Sequence, residues 1–123
     1  MSLRDALLAS REARTITVTP SFLPENPVEI VMMSVAQRRD LLKAAKNDAG
    51  EDDPAALQAA IAIATVRDPE TKQMCFKSSD RDALMQWPAG DLDELTAPAM
   101  KLNKLEAQAV VDAEKNSTTT PSA

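Results

Sequence analysis

Leu3, Leu7 and Leu8 recur at helical spacing near the start of the chain and predict a short helix over residues 3–12. The period then changes from helical to two. Residues 15–19 alternate threonine with β-branched apolar side chains, which predicts a strand, and residues 28–33 predict a second. Pro20, Pro24 and Pro27 stiffen the connection by fixing backbone angles. The two strands should pair as a hairpin, and a lone hairpin needs a helix or another chain over one face.

From Ser34 onward the pattern is helical. Ser34 with Gln37 three residues later forms a capping box, so a helix should run over residues 35–47. Val35, Leu41, Leu42 and Ala45 make its expected apolar face, with Arg38, Arg39, Lys43 and Lys46 outward. Asp53-Pro54 opens another helix, because proline suits a first turn whose donors have no partner. Residues 54–66 are apolar almost all round, the mark of a helix central to a core or an oligomer interface. Val66 and residues 74–76, across the turn at Asp68-Pro69, predict a second small hairpin. Ser78 or Ser79 should cap a short helix over residues 80–86, and Asp91 with Glu94 should cap the next one. Leu92, Leu95, Ala99, Leu102 and Leu105 trace its apolar stripe. Pro98 lies inside that stripe, so either the helix kinks there or it begins at Thr96. A last helix is expected over residues 105–115, and residues 117–123 read as a disordered tail. The pattern describes a mainly α (α+β) domain of about five helices with one or two short β-hairpins. Residues 1–116 form one domain, with the N-terminal helix and hairpin in 1–33 and a helical region in 34–116.

Composition narrows the chemistry. With no histidine or tyrosine, the commonest general base and metal ligand is missing. Two glycines, Gly50 and Gly90, are too few and too far apart for a phosphate-cradling loop. Cys75, the single cysteine, has no histidine to ionise it and reads as a buried, inert thiol. The acidic run Asp48, Glu51, Asp52, Asp53 lacks the alternating carboxylates of a calcium loop and reads as a solvated linker. A net charge of −5 disfavours nucleic acid as a general partner. The Arg38–Lys46 stripe is then the ordinary outer face of an amphipathic helix. No apolar run is long enough to span a bilayer. No catalytic, metal or cofactor site is expected, and the chain is expected in the cytoplasm. Hydrophobic residues make up 44% of the sequence and aromatics only 2%. Much of that apolar content is alanine, which buries little area, so self-association or a partner should add stability.

The closing segments Met100-Lys-Leu-Asn-Lys-Leu-Glu-Ala-Gln-Ala109 and Val111-Asp-Ala-Glu-Lys-Asn-Ser117 resemble the C-terminal region of small tail assembly chaperones of tailed bacteriophages. The opening helix, the strand leading into the capped helix, and residues 68–82 are similar to that family as well. Lys104 stands where the family often has glycine, and Glu106 where a capping serine is common. The resemblance implies a non-catalytic chaperone that holds the tape measure protein in the host cytoplasm until the tail tube protein displaces it. It implies a homo-oligomer and, in some members, a longer frameshifted form. Ile61, Ile63, Leu92, Leu95, Met100 and Leu102 are the expected partner-binding residues. On that expectation, aspartate at Leu95 and Leu102 abolishes client binding. The alternatives are a structural tail component, such as a connector or completion protein, and a small helical transcription regulator.

Overall fold

The computed structural model describes residues 2–9 and 14–105. The described residues form five helices and three strands: α1 (Leu3–Ala9), β1 (Thr15–Val18), β2 (Val28–Val31), α2 (Val35–Ala44), α3 (Pro54–Thr65), β3 (Val66–Arg67), α4 (Arg81–Met85) and α5 (Ala89–Leu102). A 3-10 turn, Ser78–Asp80, precedes α4. The α+β class and the five helices match the sequence pattern. The expected helix over 105–115 and the tail over 117–123 lie outside the described residues.

The three strands form one antiparallel sheet in the order β1-β2-β3. Ile30 sits opposite both Ile16 and Val66 and is fully buried, which makes β2 the sheet's central strand. The expected second hairpin is only partly present. Val66 and Arg67 pair chiefly with β2, and Met74 adds a single bridge to Arg67. The physical reason is reach. β3 leaves α3 directly alongside β2, whose free edge offers a longer ladder than the turn that follows β3.

α3 is the centre of the molecule and packs against α2, α4, α5 and β2. Asp53 caps it, its carboxylate accepting from the Ala55 amide at 3.0 Å, with Pro54 in the first turn. Ala56, Ala59, Ala60, Ile61, Ala62 and Thr65 are buried. Small side chains let neighbouring helices come close on several sides, so an alanine-rich helix can be central even though each alanine buries little area. Thr65 is fully buried, and its hydroxyl donates to the Ile61 carbonyl at 2.6 Å.

The capping box at α2 forms as read. The Gln37 amide donates to Ser34 Oγ at 3.1 Å, and the Ser34 amide donates to Gln37 Oε1 at 2.7 Å. The helix ends earlier than expected, and only part of its predicted apolar face is inward. Leu41 and Ala45 are buried, whereas Val35 is 89% and Leu42 59% exposed. α2 meets the body along one edge, and Val35 and Leu42 lie beyond it.

Two further expectations on capping are corrected. The turn before α4 is closed by Asp80, which accepts from the Lys77 amide at 2.8 Å, and neither Ser78 nor Ser79 supplies a cap. α5 begins after Pro88, and Glu94 is used elsewhere. The Ser21 amide and hydroxyl both donate to the Glu94 carboxylate, each at 2.6 Å, which ties the proline loop to α5. These bonds hold the Glu94 carboxyl below its ordinary pKa. Phe22 and Phe76 meet Trp87 edge-on at 5.6 and 5.9 Å, fastening the same corner. α5 runs continuously through Pro98, so it does not begin at Thr96.

The C-terminal end of α5 is a Schellman motif. The Leu105 amide donates to the Met100 carbonyl at 2.7 Å and the Lys104 amide to the Lys101 carbonyl at 3.2 Å. Lys104 takes the left-handed conformation, φ 56°, at the position where the resemblance has glycine. An L-residue there costs about 1 kcal/mol or more. Lys104→Gly should therefore stabilise the fold by about 1 kcal/mol, raising the thermal midpoint by about 3–5 °C. A calorimetric scan with no rise would show that this turn carries no strain.

On the sheet, Glu29 is pinched between two cations. Arg67 reaches Glu29 Oε1 at 2.7 Å and Lys72 reaches Oε2 at 2.9 Å. The Lys72 hydrogen bond, followed by that of Arg67, outweighs desolvation and lowers the Glu29 pKa. A lowered folded-state pKa gives stability that is complete above the unfolded value of about 4.3. It is lost as pH falls through the folded value. Glu29→Gln should therefore be less stable than the parent at neutral pH and converge on it in acid. Urea midpoints measured across that range test this, and a gap that persists in acid would mean a loss unrelated to charge.

Candidate functional site: an apolar groove between two helices

The six expected partner-binding residues divide sharply. Ile61, Leu92 and Leu95 are buried at 1, 4 and 3% exposure, packed among Ile30, Val66 and Leu84. They fill the core and are not accessible to a partner in this fold. Met100 and Leu102 are half-buried and lean on the same core. Ile63 is also half-buried, but it faces a surface opening. The reason is α3 itself: a helix packed against four elements uses Ile61 inward and leaves Ile63 at a flank that stays open.

That opening lies between α2, α3 and the turn into α4. It has a volume of about 380 Å³ and is lined by Leu41, Ala44, Ala60, Ile63 and Ala64, with Gln37, Asp40, Ser78 and Arg81 also on its wall. This is within the range of ligand and peptide clefts, about 300–1,000 Å³. Its origin is local. Ala44, Ala60 and Ala64 are too small to fill the space between α2 and α3. The apolar side chains form most of the surface, and the polar ones supply directional contacts.

Arg81 separates this groove from a second, polar depression that includes Asn47, Asp48, Asp53 and Asp82. Its Nε is buried and has no hydrogen-bond partner among the described residues. An unsatisfied buried donor is costly, and the Arg81 side chain that carries it also lines the groove wall. Sequence reading missed Ala44, Ala64 and Arg81. The only signal was the run of small residues at helical spacing, Ala60 and Ala64, facing Ala44.

The basic stripe of α2 and the turn that follows it is largely engaged. Arg38 donates to the Asn103 carbonyl at 2.7 Å, Arg39 contacts Asp40 at 3.3 Å, and Lys46 pairs with Asp52. Cys75 is exposed, which corrects its reading as buried. Desolvation, with the Asp68 charge second, still pushes its thiol pKa up, so it is a poor nucleophile at neutral pH. No cluster among the described residues is arranged to hold a metal ion, and no described helix is long and apolar enough to cross a membrane. Other apolar side chains are exposed apart from the groove: Leu3, Leu7 and Leu8 on α1, Val35 and Leu42 on α2, and Phe22 and Leu23 on the proline loop. No family model matches the chain, and no curated protein or solved structure matches it.

Proposed function

We propose that this chain is a non-catalytic tail assembly chaperone of a tailed bacteriophage. It acts in the host cytoplasm and holds an amphipathic helix of the tape measure protein in the α2–α3 groove. The sequence resemblance supplies the client, and the open apolar groove is the observation that carries the binding mode. A long helical client exposes apolar stripes that aggregate in water. A groove floored by Leu41, Ala60 and Ile63 covers such a stripe, and the Arg81 guanidinium at its wall offers its positive charge to a client carboxylate. One groove of this size gives a weak contact, and many copies along one client give avidity. Weak individual contacts let the tail tube protein displace the chaperone as it polymerises. A longer frameshifted form would add a second contact in the same complex.

The test is co-expression with the tape measure protein of the same gene cluster, scored by soluble client and co-purification. Ala44→Trp is the discriminating variant. Ala44 is exposed on the groove wall, so an indole there fills the groove without entering the core. The expected result is a soluble co-eluting complex with the parent and none with Ala44→Trp, at unchanged far-UV circular dichroism. A complex retained by Ala44→Trp would remove the groove from the mechanism. No complex with the parent, together with this chain in purified virions, would identify a structural tail component instead.

A further inference from the structure

α1 is a helix of seven residues in which no residue is buried. Leu3 is 76% and Leu8 59% exposed. A helix this short is marginal on its own in water and needs packing to persist. The same molecule carries an unfilled apolar groove with charges of both signs on its wall, Asp40 and Arg81. α1 also carries both signs in adjacent positions, Arg4 and Asp5, which among the described residues form an ion pair with each other at 3.5 Å across an exposed surface. Such a pair is worth little in water and is readily exchanged for better partners. Among the described residues, Asp40 is similarly paired with its exposed neighbour Arg39.

We propose that α1 of a second copy of this chain occupies the α2–α3 groove. The exchange is reciprocal about a two-fold axis, with each copy giving one helix and receiving one. Leucines of α1 cover Leu41, Ala60 and Ile63. Asp5 pairs with the Arg81 guanidinium at the groove wall, and Arg4 turns to Asp40. Self-occupancy keeps the groove covered until a client helix competes for it, so the free chaperone does not expose the surface it uses. This rests on the groove being a helix-binding site, but not on the identity of the client.

The test is the molecular mass of the full chain by sedimentation equilibrium, from micromolar to millimolar concentration. The parent is expected at twice the 13.3 kDa chain mass. Two variants break opposite halves of the contact: Leu3→Asp with Leu8→Asp spoils the helix, and Ala44→Trp fills the groove. All three positions are exposed, so the fold is retained, and circular dichroism checks it. Each variant should raise the dimer dissociation constant on the order of 100-fold, because the change occurs twice per dimer. An equimolar mixture of the two should regain a dimer, since one intact helix then meets one intact groove. A monomeric parent, a dimer that survives either variant, or a mixture that stays monomeric would overturn the proposal. Client capture reads out separately: the Leu3→Asp, Leu8→Asp variant should bind client about tenfold more tightly than the parent, because its groove is vacant. Loss of all client binding with the dimer intact would remove the chaperone reading and leave the exchange standing.

Discussion

Leu95→Asp is expected to unfold the protein. Leu95 is 3% exposed on the inner face of α5 and belongs to the cluster around Ile30, Ile61, Val66 and Leu84. Truncating a buried leucine costs about 2–5 kcal/mol, and an uncompensated buried carboxylate adds several more. A single domain has only about 5–15 kcal/mol in total. The aspartate variant should show collapsed ellipticity and lose the cooperative urea transition seen through Trp87, the single tryptophan. This changes how a client-binding experiment is read. Aspartate at Leu95 and Leu102 would abolish capture, but by dissolving the core that shapes the groove. Ala44→Trp separates the two causes, because it alters the groove and leaves the core intact. A folded, cooperative Leu95→Asp protein would mean that α5 does not pack as described.

The contrast between Leu95 and Ala44 shows where sequence pattern is informative. Local signals are reliable when one short segment contains both partners of an interaction. The Ser34–Gln37 box and the Asp53-Pro54 start hold because donor and acceptor lie within three residues of each other. An apolar stripe says that a face is covered, but not by what. Ile61, Leu92 and Leu95 have the same spacing whether they meet their own core or another chain, and here they meet the core. Pairings between distant segments leave still less trace. Glu94 looks like a cap residue for α5, yet its carboxylate goes to Ser21 in the proline loop. Val66 reads as strand, but its neighbour in the sheet is Ile30, which the turn after β3 gives no reason to choose. The groove was the least legible feature, because it is made by what Ala44, Ala60 and Ala64 do not fill. A gap between helices depends on their divergence, and no single residue type encodes it.

Asn103→Ala should cost about 3 kcal/mol, a large effect for a polar residue at a helix end. Asn103 is 3% exposed and ties three elements together. Its Oδ1 accepts from the Met33 amide at 2.6 Å, and its Nδ2 donates to the carbonyls of Val31 at 3.2 Å and Ala99 at 2.9 Å. Its own carbonyl accepts from Arg38 at 2.7 Å. The side chain thus completes the hydrogen bonding of the chain just past β2, where the sheet ends and α2 begins. Alanine leaves the Met33 amide and the Val31 carbonyl without these partners, and each orphaned group costs about 1–3 kcal/mol. The signal for this residue was present in the sequence. Asn103 falls on the same helical face as Leu92, Leu95, Thr96 and Ala99, and a polar residue on an apolar stripe must find its partners inside. Arg38→Ala removes only the bond to the Asn103 backbone and should cost about 1–2 kcal/mol. If the junction acts as a unit, the double variant should lose measurably less than the sum of the two. Urea titration of the four proteins supplies that cycle, and hydrogen exchange at the Met33 amide reports the junction directly. Full additivity would divide the junction into independent bonds. An Asn103→Ala loss below about 1 kcal/mol would mean that water replaces the amide and that the α5 terminus is not what holds α2 to the sheet.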